Sequence, residues 1–169
     1  TAQAPGMIER VQKIPRRRAP AGRLRWLTHA EWHKLSAKLP DHLRPMAEFA
    51  LATGLRQANV LGLRWDQIDL ERRLAWVDAA DVKQRRAISV PLSDAAIAAL
   101  RSVLGQHEEY VFTYLVKKAK DGQAEVRRPI LSPKTAWNKA IEDSGIKPAT
   151  WHDLRHTWAS WHVQAGTPL

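Results

Sequence analysis

The stretch ATGLRQ, residues 52–57, separates two predicted helices. Apolar side chains recur at helical spacing over residues 43–51, and Gly54 is a natural helix end because glycine tolerates a positive φ. A short third helix is predicted from Gln57 to Leu63, so Arg56 falls at a helix start. Unpaired N–H groups at a helix start favour an anion. Arg56 is therefore a candidate phosphate ligand.

The chain before this stretch divides into a basic arm and a first helix. The helix is predicted from Thr28 to about Leu39, because Thr28 and Glu31 have the spacing of a capping box. The arm, residues 1–25, holds three prolines and a single acid, a composition that resists packing and suits an extended linker along a phosphate backbone. Its seven basic residues are Arg10, Lys13, Arg16, Arg17, Arg18, Arg23 and Arg25. Those we expect to bind DNA are Arg16, Arg17, Arg18, Arg23 and Arg25.

The chain after this stretch predicts a small antiparallel sheet and three more helices. Residues 74–77 and 87–90 are strand-like and flank a polar turn at 81–85 that carries Lys83. Helices are predicted from Ser93 to about Leu104, from Ser132-Pro133, and from Thr150 to Gly166. The predicted fold is mainly α, of the α+β class, with residues 26–169 forming one domain.

Composition limits the classes of function. The net charge of +10 and pI near 10.4 suit a polyanionic partner, with nucleic acid as the first candidate. Cysteine is absent, which excludes disulfides, cysteine zinc sites and cysteine nucleophiles. No apolar run is long enough to cross a bilayer and no signal peptide is recognisable, so we expect a cytoplasmic protein without a membrane partner.

A second motif, HDLRHT at residues 152–157, lies at the start of the last predicted helix. Taken in order, TGLR, the turn Lys83 and HDLRH resemble the catalytic motifs of tyrosine site-specific recombinases of the phage integrase kind. The resemblance covers about residues 27–166. It implies a tyrosine-recombinase-like catalytic domain with Arg56, Lys83, His152 and Arg155 as catalytic residues.

The residue types suit phosphoryl transfer independently of the resemblance. Two guanidiniums, those of Arg56 and Arg155, can bind the non-bridging oxygens of a phosphodiester through paired, charge-assisted hydrogen bonds. His152 lies three residues before Arg155 on one helix face and can share a proton with the phosphate or the nucleophile. Lys83 can protonate the leaving 5′-oxygen. Such a site needs neither a metal nor another cofactor.

The resemblance also implies partners and a missing group. Members of the family act on double-stranded DNA, as tetramers, through a phosphotyrosine intermediate, and we expect the isolated chain to be monomeric. Their tyrosine follows the His-x-x-Arg helix, whereas Tyr110 and Tyr114 precede it, so we expect the catalytic domain to be truncated before its nucleophile. Ala58-Asn59 stands where many relatives have glutamate, which we interpret as variation in a helix cap.

Two other functions remain open at this point. His152 and His156 are four residues apart, as in zinc helices, so a metal-dependent hydrolase is possible, although Arg155 between them opposes a dication. The chain can alternatively be a DNA-binding module without chemistry. His156 fits a packing role better than a supporting role in catalysis. Core or partner-helix positions are predicted for five of the eight tryptophans: Trp65, Trp76, Trp151, Trp158 and Trp161.

Overall fold

The computed structural model describes residues 25–77, 88–116 and 126–167. These residues form an α+β domain with six α-helices and two small antiparallel sheets. No helix within these ranges is both long and apolar enough to cross a membrane. The helices are α1 His29–Ser36, α2 Arg44–Thr53, α3 Gln57–Leu61, α4 Asp94–Ser102, α5 Lys134–Ser144 and α6 Asp153–Gln164. The strands are β1 Ile68–Asp69, β2 Leu74–Val77, β3 Ile88–Pro91, β4 Thr113–Val116 and β5 Val126–Pro129.

Helix α2 is the centre of the core. Met46, Ala47 and Phe49 are fully buried, and the helix packs against both α4 and α6. The ring of Phe49 lies 5.5 Å from that of Phe112, which connects the helical core to the residues before β4. Because α2 is buried along most of its length, its C-terminal end is a rigid support for the turn that follows.

The predicted capping box at the start of α1 is confirmed. The backbone N–H of Glu31 donates to Thr28 Oγ1 at 3.2 Å, and the N–H of Thr28 donates to Glu31 Oε2 at 2.9 Å. The predicted cap of α4 is also confirmed, since Ser93 Oγ accepts from the N–H of Ala96. These helices begin where the sequence predicts because their caps are satisfied by residues three positions apart.

The predicted hairpin is confirmed and has a third strand. Strand β2 pairs antiparallel with β3, with Leu74 opposite Pro91, and β1 pairs with the other edge of β2. A second sheet, β4 paired with β5, is not among the strands predicted from the sequence. Its strand β5 reads VRRP, a charged stretch without apolar alternation, so its pairing is not recognisable from the sequence.

The tryptophan predictions hold only in part. Trp151 is buried, and Trp65 and Trp161 pack against the core from half-buried positions. The predicted core position of Trp76 is wrong, because alternation along β2 buries Ala75 and Val77 and leaves the indole 36% exposed. Trp137, which is not among the predicted core tryptophans, is fully buried in α5 and donates its Nε1–H to the Ala149 carbonyl at 2.8 Å.

Candidate active site

The turn between α2 and α3 positions Arg56. Thr53 Oγ1 donates to the Phe49 carbonyl at 2.8 Å and accepts the N–H of Leu55 at 3.5 Å. Leu55 is buried in the core, whereas Arg56 has extended backbone and is the N-cap residue of α3. The turn is thus fixed on both sides of Gly54, and the half-buried Arg56 side chain leaves it at the helix start.

Gly54 has a conformation and an environment that only glycine fits. Its φ of +64° is in the left-handed region, where it ends α2 by donating to the Ala50 carbonyl. A Cβ atom at this position would lie 2.5 Å from Cδ2 of Trp158, well inside van der Waals contact. The indole of α6 therefore packs directly on the glycine, which brings α6 against the turn before Arg56.

The start of α6 is fixed by Asp153. Its carboxylate accepts from the N–H of Thr150 at 2.7 Å and from the Thr150 hydroxyl at 3.0 Å. The Thr150 hydroxyl therefore donates to the carboxylate instead of capping the helix, and α6 begins three residues later than predicted, with His152 as its N-cap. His152 and Arg155 are exposed one helical turn apart.

Arg155 joins the two motifs. Its Nη1–H donates to the carbonyl oxygen of Gly54, 101 residues earlier in the chain, and its remaining N–H groups have no bonded partner within the described ranges. The side chain of Arg56 likewise makes no hydrogen bond or ion pair with the described residues. The sequence-predicted Arg56, His152 and Arg155 are thus brought to adjoining helix starts, with both guanidiniums available to an anion.

A cavity of about 330 Å³ opens beside these residues, between the starts of α3, α5 and α6. We call it the α3–α5–α6 cavity. Gln57 and His152 line it from two sides, and Lys134 lines it from α5. None of the described residues in its wall is acidic. The charge and the open cavity together suit a phosphate group.

A family model described as the phage integrase family matches residues 25–169. The chain belongs to the phage integrase family. The integrase of Salmonella phage P22 is 42% identical over 150 residues, which cover 87% of this chain and 39% of that protein. The tyrosine recombinase XerD of Lacticaseibacillus casei is 32% identical over 155 residues, covering 85% of this chain and 50% of that protein. The chain thus spans half or less of the length of these relatives.

The fold of this phage integrase family member is that of its solved relatives. A lambda integrase tetramer bound to a Holliday junction matches 82% of this chain and 42% of its own with a TM-score of 0.62 and 24% identity. At this level of identity the likeness establishes the fold alone. The predicted α+β, tyrosine-recombinase-like class is confirmed.

The second histidine of the motif lies next to the first. The rings of His152 and His156 are 4.9 Å apart and nearly perpendicular, and His156 is half-buried. Within residues 25–77, 88–116 and 126–167, no group of three or more His, Asp or Glu could hold a metal ion. Of the pair Ala58-Asn59, which was interpreted as variation in a helix cap, Ala58 is exposed and Asn59 is buried within α3. The N-cap of α3 is Arg56, without a side-chain cap hydrogen bond, so the pair does not cap this helix.

The remaining predicted residues do not all lie in the described part of this phage integrase family member. Lys83 and four of the predicted DNA-binding arginines, Arg16, Arg17, Arg18 and Arg23, lie outside it. Arg25 is described, and its guanidinium bonds the Glu31 carboxylate, with the shorter contact 2.6 Å. The hydrogen bond from Arg25 lowers the pKa of Glu31 to about 2. DNA binding by Arg25 stays a prediction, but this ion pair leaves less of its guanidinium for a phosphate.

Two residues of the cavity wall, Gln57 and Lys134, were not predicted as site residues. Gln57 follows Arg56 directly, and Lys134 is the first residue of α5, next to the predicted proline at its start. Their neighbours were visible as helix-start signals. Their convergence was not, because it depends on packing between segments distant in sequence.

Proposed function

We propose that this chain is the DNA-binding and phosphate-activating part of a site-specific tyrosine recombinase, acting on double-stranded DNA in the cytoplasm. The observation that carries the proposal is the hydrogen bond from Arg155 to the Gly54 carbonyl, which brings both arginine motifs to one place. Two guanidinium groups beside an open cavity match the charge and shape of a phosphodiester.

In the proposed reaction, Arg56 and Arg155 bind the non-bridging oxygens of the scissile phosphate and stabilise the charge that develops there. A tyrosine oxygen attacks phosphorus, and the bond from phosphorus to the 5′-oxygen breaks. Lys83 gives a proton to the departing 5′-oxygen, and His152 shares a proton with the phosphate or the attacking hydroxyl. The product is a 3′-phosphotyrosine that a new 5′-hydroxyl can reverse.

The 169 residues supply these groups but place neither tyrosine in the cavity wall. The ring of Tyr110 lies 5.6 Å from that of His107, and the ring of Tyr114 lies 6.2 Å from that of His42. We therefore assign the nucleophile to a longer protein, in which residues 1–25 are a DNA-binding arm and residues 26–169 the catalytic domain. That protein acts as a tetramer on DNA, whereas the 169 residues alone are a monomer that binds DNA without forming a covalent adduct.

The DNA-binding part is tested with Arg56→Ala, a variant that breaks no described hydrogen bond. Fluorescence anisotropy with a duplex should show weaker binding by about threefold to tenfold, and a salt slope smaller by about one unit, because one phosphate contact is lost. Arg101→Ala removes the same charge from the exposed last turn of α4 and is the control. Equal losses in both variants would show that only net charge matters and would contradict the proposed site.

The chemical part is tested in a version extended by the tyrosine-bearing segment of a tyrosine recombinase. It should form a covalent adduct with a suicide DNA substrate, and Arg56→Ala should cost about 2 to 4 kcal/mol of transition-state stabilisation. Lys83→Ala should be rescued by a 5′-thiol leaving group, which needs no general acid. Cleavage by the original 169 residues that stops on addition of a chelator would instead support the metal-dependent hydrolase with His152 and His156. An extended version that binds DNA but forms no adduct would support a module without chemistry.

A further inference from the structure

The α3–α5–α6 cavity contains polar groups that the proposed reaction does not use. Lys134 and Gln57 line it, and both side chains are without a hydrogen bond or ion pair within the described ranges. Lys134 is exposed and Gln57 half-buried. One is a cation and the other carries an amide donor, so both can bind an anionic oxygen.

The N-terminal end of α5 lies at the same cavity. Pro133 is the N-cap and contributes no side-chain hydrogen bond, while Ser132 Oγ accepts only the N–H of Lys134, at 3.3 Å. The helix is 11 residues long and has no acidic residue in its first turn. Its N-terminal N–H groups and dipole therefore add a positive field that no carboxylate in the first turn of α5 neutralises.

A buried donor without a partner lies in the cavity wall. The Trp151 indole lines the cavity and is only 6% exposed, and its Nε1–H has no hydrogen-bond acceptor within the described ranges. The neighbouring Trp137, packed edge-on at 5.1 Å, does satisfy its own Nε1–H. Buried polar groups are normally paired, so an oxygen bound in this cavity can supply what Trp151 lacks.

We infer that Lys134, Gln57 and the start of α5 bind the DNA phosphate next to the scissile one. The inference rests on the proposed function, because it takes Arg56 and Arg155 as the ligands of the scissile phosphate. Gln57 and His152 line the cavity, and in the chain Gln57 follows Arg56 directly while His152 lies one helical turn before Arg155. A strand with one phosphate at the arginines can therefore pass its next phosphate beside this cavity. Two fixed phosphates define the direction of the strand, and this second contact orients the bond to be broken.

The test compares two small probes that need no knowledge of the DNA site. Thymidine 3′-monophosphate carries one phosphate, and thymidine 3′,5′-bisphosphate carries two phosphates one nucleotide apart. In NMR titrations of the labelled 169-residue chain, the bisphosphate should bind more tightly. Lys134→Ala should remove about threefold to tenfold of that affinity and leave monophosphate binding unchanged, whereas Arg56→Ala should weaken both probes.

Lys139→Ala is the matched control, because it removes an exposed lysine of the same helix that is paired with Asp143 at 3.3 Å. It should bind both probes as the unmodified chain does. The inference is overturned if the bisphosphate binds no better than the monophosphate, or if Lys134→Ala and Lys139→Ala behave alike. A different result overturns the proposed function itself: Arg56→Ala binds both the monophosphate and the bisphosphate as tightly as the unmodified chain does.

An anisotropy experiment with duplex DNA separates a backbone contact from base recognition. Lys134→Ala should weaken binding equally for all sequences and lower the salt slope by about one unit. A changed sequence preference with an unchanged slope would mean that Lys134 reads a base edge, which overturns the phosphate assignment.

Discussion

Gly54→Ala provides the most direct test of how the site is built. Two penalties can be separated at this position. Alanine in the left-handed region costs about 1 to 2 kcal/mol. Its Cβ would also lie 2.5, 2.6 and 2.9 Å from three atoms of the Trp158 indole, so the ring must move by roughly 1 Å to regain ordinary contact. Overpacking of this kind costs about 1 to 3 kcal/mol, which gives a total loss of about 2 to 5 kcal/mol.

Gly145 supplies a control with the same backbone and no neighbour. It ends α5 with φ of 64° and ψ of 17°, against 64° and 15° at Gly54, and nothing lies within 4 Å of the position of its Cβ. Gly145→Ala should therefore cost only the conformational penalty. Urea unfolding of both variants gives the difference, which is the contribution of the contact with Trp158.

A double-mutant cycle completes the test. In a Trp158→Ala background the obstacle is gone, so Gly54→Ala should cost no more than Gly145→Ala does. The reasoning is refuted if Gly54→Ala is as mild as Gly145→Ala in the unmodified chain, or if its cost is the same with and without the indole.

Two further substitutions test the packing of α1 and α6. Glu31→Gln keeps the helix cap but removes the charge paired with Arg25. The Glu31 pKa is lowered from 4.5 to about 2, so the ion pair stabilises the folded chain fully above pH 4.5 and ceases to do so as pH falls towards 2. Urea unfolding of Glu31→Gln should show a loss of about 1 kcal/mol at pH 7 that disappears near pH 2, whereas the control Glu142→Gln should lose nothing. A loss that persists at pH 2 would contradict the role of the Glu31 charge. Thr157→Val should cost about 1 to 3 kcal/mol in thermal unfolding, since the buried Thr157 hydroxyl accepts the Leu27 N–H at 2.9 Å. Thr157→Ser keeps the hydroxyl and should retain most of the stability. Equal losses in the two variants would rule out the hydrogen bond as the cause.

Local chemistry explains which parts of the fold the sequence could predict. The capping box of α1, the Ser93 cap of α4 and the glycine at the end of α2 depend on residues within three or four positions, and they were found. The start of the last helix was predicted three residues early, at Thr150, because the spacing of Thr150 and Asp153 suits both a helix cap and a turn before the helix. The second sheet was missed because β5 is charged, and its pairing with β4 depends on partners distant in sequence.

The candidate site was predictable as residue types and not as geometry. Arg56, His152 and Arg155 follow from their motifs, but their approach depends on the buried α2 and on the contact between Gly54 and Trp158. Arg25 shows the opposite limit. Its position in a dense basic run predicted a DNA ligand, whereas the fold gives it Glu31 as a partner, and no count of charges reveals such a pair.

Under the proposed function, Gly54 therefore links stability and phosphate binding although it has no side chain. Its carbonyl holds Arg155, its backbone conformation sets the direction of the chain towards Arg56, and its missing Cβ makes room for α6. A displacement of this one residue moves both guanidiniums, because each is positioned through it and neither has another bonded partner among the described residues. Two arginines that bind one phosphate must keep a fixed separation. The TGLR and HDLRH motifs are thus one structural unit, joined at a glycine that is itself too deeply packed to contact DNA.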